Sequence, residues 1–178
     1  MIRPSNKAAE SALPLAVVLH IAYTGYGVVR SLTAAGIPVV AFQKDTTPPE
    51  ARSELPKQLI TFAGDEDLLE KLTDLAQGCR EKPVLFITSD VYVEFFIRHR
   101  EVLEELFRIH YPPTDIVNLL LNKDTFMDYA LRRNLPLPVS FRIASRDDLE
   151  QSLGDMVFPA IVKPFTKTPA WLAAKLAK

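Results

Sequence analysis

The chain has 178 residues and weighs 20.0 kDa, with 48% hydrophobic and 24% charged residues, a composition that buries a core and excludes an unfolded tail. Lys and Arg number 21 against 22 Asp and Glu, a net charge of −1, so no general field holds nucleic acid or an anionic membrane. The single cysteine, Cys79, excludes an internal disulfide. With three histidines it makes a poor ligand set for structural zinc, a pattern that suits a reducing cytoplasm. Apolar stretches such as Leu15–Leu19 and Val157–Val162 fall well short of the roughly 20 residues of a membrane helix, and residues 1–12 are too polar for a signal peptide.

Residues 1–12 show no sustained period and are expected to be a mobile lead-in. Leu15–Leu19 then reads as a buried strand, Tyr23–Gly27 as a tight loop, and Val28–Ala35 as a helix ended by Gly36. Ile37–Phe42 is a second buried strand, so the first fifty residues form a strand–helix–strand unit with a crossover long enough for parallel pairing. A third strand is expected at Leu59–Phe62. Gly64-Asp65 opens a helix whose apolar stripe is Leu68, Leu69, Leu72, Leu75 and Ala76, with Asp65, Glu66 and Asp67 at the positive end of its dipole. Pro83–Ile87 is a fourth strand, ending at Thr88-Ser89-Asp90. Val91–Phe107 is one or two helices, and Arg108–Tyr111 a short fifth strand closed by Pro112-Pro113. This alternation predicts an α/β fold with an open, parallel, doubly wound sheet over residues 13–113.

After Pro113 the pattern changes, and residues 114–178 read as a second region. Thr114–Leu121 is a short apolar helix, and Asn122 caps a second, Lys123–Arg133, stopped by Pro136 and Pro138. Val139–Ile143 is expected as a strand, Ser145 with Asp148 as a capping pair for a helix over Arg146–Leu153, and Phe158–Val162 as a strand leading to Lys163-Pro164.

Three constellations are candidates for chemistry. Gly25-Tyr26-Gly27 lies between the first strand and helix, where backbone N–H groups approach an anion. A dinucleotide fingerprint requires a third glycine where this chain has Arg30. Asp45 stands at the ribose-binding distance but beside Lys44. A nicotinamide or flavin role therefore competes with a plain turn or a substrate-facing loop. Ser89 and Asp90 end the fourth strand, at the carboxyl edge where open α/β sheets bind ligands, although the same residues also serve as helix caps. A receiver-type phosphoacceptor fails, since His20-Ile21-Ala22 stands where an acidic pair is needed. The third set is Lys123 and Lys163, 40 residues apart. An ammonium about 4 Å from a phosphate gains about 1 kcal/mol in water and nearer 4 kcal/mol at the effective dielectric of a partly closed cleft. Two lysines in one cleft would hold ATP phosphates; singly, each reads as a solvated surface residue. His20, His99, His110 and Cys79 have no partner at metal or triad spacing and read as structural.

The run L-L-L-N-K-D-T-F-M-D-Y-A-L-R-R-N-L-P-L-P-V-S-F, Leu119–Phe141, followed by V-F-P-A-I-V-K-P, Val157–Pro164, resembles the opening of an ATP-grasp domain. Upstream, Tyr23–Leu32, Leu85–Val93 and the later R-H-R-E-V-L are similar to the Rossmann-like domain that precedes ATP-grasp, especially in carboxylate-amine ligases of the D-aspartate ligase type. The resemblance implies a Rossmann-like domain over residues 13–113 followed by an incomplete α+β ATP-grasp subdomain over 114–178. It implies Lys123 and Lys163 as ATP-phosphate ligands, and Gly25, Gly27, Ser89 and Asp90 as the face toward the acceptor substrate. Such ligases use ATP with magnesium to make an acyl phosphate from a carboxylate, then let an amine or thiol displace phosphate, with electrostatic positioning supplying most of the catalysis.

The magnesium ligands, the lid and the adenine strand of that family have no counterpart in this chain. The expectation is thus an N-terminal portion of a carboxylate-amine ligase, inactive alone. Its partners would be small-molecule carboxylate and amine substrates, and either a second copy or the missing C-terminal portion. The competing readings are a module that binds a small molecule or a protein without turnover, and a dinucleotide oxidoreductase.

Overall fold

The computed structural model describes residues 13–163. The lead-in expected over residues 1–12 and everything from Pro164 onward lie outside them. The chain divides into two compact units between Tyr111 and Pro112.

The first unit is built on four parallel strands, β1 (Ala16–Leu19), β2 (Val39–Gln43), β3 (Gln58–Thr61) and β4 (Val84–Ile87), in the order β3-β2-β1-β4. Helices α1 (Thr24–Ala34), α2 (Asp65–Gln77), α3 (Asp90–Arg98) and α4 (Arg100–Leu106) connect and cover them. Every residue of β1 and β2 is buried because both sheet faces are covered, which is why these strands read as unbroken apolar runs. Alternation sends Val17, Leu19, Val40, Phe42 and Leu85 into a core with Leu68 and Leu72 of α2, Phe95 and Phe96 of α3, and Leu103 of α4. The intervening Ala16, Val18, Val39 and Ala41 pack with Ile21 and with Val29 of α1. Each fully buried Leu or Phe contributes about 1.5–3 kcal/mol relative to exposure.

The strand order also reverses direction once. From β1 the chain moves outward to β2 and β3, then returns to place β4 on the other side of β1. The gap between the β1–α1 and β4–α3 connections is the topological switch point, where the two loops diverge at the carboxyl edge of the sheet.

The second unit contains α5 (Thr114–Leu121), α6 (Lys123–Arg132) and α7 (Arg146–Ser152). Asn122 separates α5 from α6 and accepts from the N–H groups of Asp124 (2.9 Å) and Thr125 (3.3 Å) as the α6 cap. Asn134, at φ +52°, closes α6: its N–H reaches Leu131 O and the next N–H reaches Ala130 O, the paired bonds of a Schellman stop. Ser145 and Asp148 form the expected capping box on α7.

Four sequence-based expectations are corrected. Neither Val139–Ile143 nor Phe158–Val162 forms a strand. A strand persists through ladder pairing. Arg142 instead pairs with Asp124 and Asp128 of α6, while Phe158, Ile161 and Val162 are exposed. No strand is assigned among the described residues of this unit. Arg108–Tyr111 contributes one parallel bridge, Arg108 to Val84, in place of a fifth strand. Finally, α1 begins at Thr24, so Gly25 and Gly27 belong to its first turn; the connecting loop is residues 20–23.

Candidate functional site

The carboxyl edge at the switch point is assembled from one row of residues. Leu19 is in register with Phe42 and Ile87, so the next positions, His20, Gln43 and Thr88, stand side by side where the three strands end. Gln43 is the one buried polar residue among the described residues, 2% exposed. Its Oε1 accepts from the Ile21 N–H at 3.0 Å. From the other side, the Thr88 hydroxyl lies 2.6 Å from the His20 carbonyl and 2.9 Å from that of Leu19, one donor shared between two acceptors. The ring of Tyr92, from α3, sits 5.6 Å from that of His20.

Gly25 completes the clamp. A Cβ built on it would lie 1.8 Å from the His20 carbonyl oxygen and 2.9 Å from Thr88 Oγ1, so the first turn of α1 approaches the strand end at a distance only glycine allows. The loop between them is bent through two left-handed residues, His20 at φ +76° and Tyr23 at φ +45°. Tyr23 is 87% exposed at the N-cap of α1 and makes no side-chain capping bond.

Electrostatics at this edge favour a neutral imidazole. Burial pushes the His20 pKa below its ordinary value of 6.5, while Gln43 and the carboxylates of Asp45 and Glu50 draw it partly back. Burial raises the Tyr92 phenol, and the negative charges of Asp65 and Asp45 raise it further. Burial at this edge thus disfavours the charged form of both rings.

The residues singled out in the sequence are distributed unevenly. Gly25, with Thr88 and Ser89, is at the edge. Ser89 holds the N-cap position of α3 without a side-chain capping bond, and Asp90 begins that helix on its exposed side. Gly27 faces elsewhere: with Arg30, Ser31, Thr33, Ala34 and Leu55 it lines an open concavity of about 630 Å³ along α1. Gly25 and Gly27 thus do not form one anion-binding loop, and Arg30 is turned to that same groove. Lys123 and Lys163 both belong to the second unit and are exposed. Sequence reasoning missed His20, Gln43 and Tyr92. The available signal was positional, since His20 and Gln43 are the first polar residues after two buried runs.

No family model matches the chain, and no curated protein matches it in sequence. Solved structures do match in fold. The chain is similar to an ADP complex of N5-carboxyaminoimidazole ribonucleotide synthetase, with TM-score 0.58 and 16% identity over 89% of this chain and 40% of that one. The synthetase from Thermus thermophilus gives 0.54 and 15% over 92% of this chain and 43% of that one. The L-amino acid ligase from Bacillus licheniformis gives 0.54 and 10% over 83% and 43%. At these identities the likeness establishes fold: a parallel sheet with flanking helices of the Rossmann-like, ATP-grasp type. The chain spans about two fifths of the length of these proteins.

Proposed function

We propose that the protein belongs to an ATP-dependent ligase that activates a carboxylate as its acyl phosphate and passes the acyl group to an amine. The observation that carries this reading is the fold likeness across 83–92% of the chain to two kinds of ligase-type enzyme, one of them solved with ADP. Lys123 and Lys163 are the residues that would hold the phosphates. Lys123 fits the role on a local ground: it is the first residue of α6, where a cation opposes the helix dipole, and an anion there would offset that cost. The neighbouring Asp124 is paired with Arg142, and no described ion pair involves Lys123. ATP bound there supplies the phosphoryl group that makes the carboxylate reactive. The lysines' part is to neutralise and orient the phosphates. The carboxyl edge of the sheet, with Gly25, Thr88 and Ser89, would face the acceptor.

Magnesium stands differently. No group of three or more His, Cys, Asp or Glu able to hold a metal ion occurs among the described residues, so these residues do not fit a magnesium site and no step is assigned to one. Nor is any described helix long and apolar enough to cross a membrane.

Calorimetric titration of the full chain with ATP tests the reading. Saturable binding that weakens at least about tenfold, about 1.4 kcal/mol, in Lys123→Ala and in Lys163→Ala is expected. ATP binding left intact in both variants would remove the lysines from the site and favour a binding module without turnover.

A further inference from the structure

Residues 139–143, V-S-F-R-I, have everything a strand needs except a neighbour. Phe141 and Ile143 are half-buried while Ser140 and Arg142 are exposed, the two-residue alternation of a strand lying on a surface. None of their backbone N–H or carbonyl groups makes a backbone hydrogen bond to another described residue. Both ends of the run are blocked. Pro138 has no N–H to offer, and the Ala144 N–H donates to Asp148 Oδ2 at 2.9 Å. The free edge is therefore five residues long and centred on Phe141.

This edge is fixed in place and unguarded. Arg142 ties it to α6 through Asp124 and, at 3.0 Å, Asp128. Exposed edges are ordinarily protected by a free charge or a proline within them; the one charge of this edge is spent on α6, and Pro136 and Pro138 lie before it. Beside it, Leu131, Leu135 and Val139 line a groove of about 480 Å³, and all three are exposed, Val139 at 80%. The other run of strand composition in this unit, residues 157–162, offers no unbroken ladder because Pro159 has no N–H. The edge does match itself. Laid antiparallel about Phe141, it sets Val139 opposite the partner's Ile143, Phe141 opposite the partner's Phe141 and Ser140 opposite the partner's Arg142, so apolar meets apolar and no like charges face each other. Centring the ladder on Arg142 would oppose two arginines, and centring it on either Arg142 or Ser140 would pair only residues 141–143 or 139–141.

We propose that a second copy of this chain adds its residues 139–143 to the same segment as an antiparallel ladder with a two-fold axis at Phe141, closing a dimer through the second unit. A two-fold contact uses one patch on both copies and so stops at two. Five residues a side with the groove side chains beside them fall below the roughly 1,200 Å² of a stable complex, so the dimer is concentration-dependent and exchanges with monomer. The association needs neither nucleotide nor substrate.

Sedimentation equilibrium of the full chain, without ligands, from about 10 μM to about 1 mM reads the association over the range of weak specific contacts. The wild type should pass from monomer toward dimer with no larger species. Val139→Lys, which puts an unpaired charge on the exposed edge, should weaken the association at least about tenfold. A chain that stays monomeric throughout, or a dimer that Val139→Lys leaves unchanged, would overturn the proposal. Register is read by cysteine pairing in a Cys79→Ala background. Val139→Cys mixed with Ile143→Cys should give a disulfide-linked dimer under mild oxidation, since opposed residues of a ladder meet within disulfide reach. Val139→Cys alone should give little, because its two copies stand well apart along the ladder. Equal yields from the mixture and from Val139→Cys alone would contradict the pairing. Slow hydrogen exchange of the amides of residues 139–143 in dilute, monomeric chain would place a strand of the same chain on the edge and would also overturn it.

Discussion

At Gly25 a single hydrogen in place of a methyl group decides whether the β1–α1 connection closes. A Cβ there would overlap the His20 carbonyl oxygen at 1.8 Å, and that oxygen belongs to backbone pinned by Thr88. Gly25→Ala is therefore expected to destabilise the fold by about 2–3 kcal/mol, in the range of an overpacked core substitution. Gly27→Ala, with nothing within 4 Å of its added Cβ, should be neutral or slightly stabilising because it lies inside a helix. Paired urea denaturation midpoints check the contrast. His20 gives the pH dependence at the same scale. Its imidazole is depressed below 6.5 in the fold, so the unfolded chain takes up a proton that the native state refuses. Stability is full above 6.5 and falls as pH drops through the folded value. Denaturation midpoints measured from about pH 7.5 to about pH 5.5 should decline in the wild type, and His20→Asn should remove that part of the decline.

At the scale of elements, the helices of the second unit depend on their end residues more than on burial. Along α6 the described burial is confined to Ala130, while Asn122 satisfies two N–H groups and Asn134 supplies the left-handed stop. Asn122→Ala should cost about 1 kcal/mol. Asn134→Gly should be close to neutral, and Asn134→Ala should cost about 1 kcal/mol because alanine resists φ +52°. Far-ultraviolet circular dichroism melts of the three variants report this directly. These signals were legible because they are local: Asn122 before Lys123, Ser145 before Asp148 and Gly36 after Ala35 each act within a few residues. The two missing strands show the opposite case. Val139–Ile143 and Phe158–Val162 have strand composition, but a strand needs a neighbour to pair with, and composition does not record whether one is there.

Across the whole molecule, the order β3-β2-β1-β4 brings the ends of separate apolar runs together at one carboxyl edge. The alternation of strands and helices made the parallel, doubly wound architecture readable, since each crossover needs its own helix and both sheet faces must be covered. The site was only half readable. Thr88-Ser89-Asp90 was visible as the polar end of an apolar strand. His20 and Gln43 were not, because their meaning depends on register between β1 and β2, which brings the ends of two separate runs into one row. Gly25 and Gly27 looked equivalent in sequence, yet the helix starting at Thr24 turns one toward the sheet and the other toward the α1 groove.

The central claim is that nucleotide phosphates bind at the lysines of the second unit and not at the carboxyl edge of the sheet. Backbone amide shift mapping of the full chain, titrated with ATP, tests it most directly. ATP should perturb Asn122, Lys123 and Lys163 and leave His20, Gly25 and Thr88 unmoved. If ATP instead perturbed residues 20–27 and spared Lys123 and Lys163, the nucleotide would sit at the sheet edge as in a dinucleotide-binding protein, and the account would be contradicted.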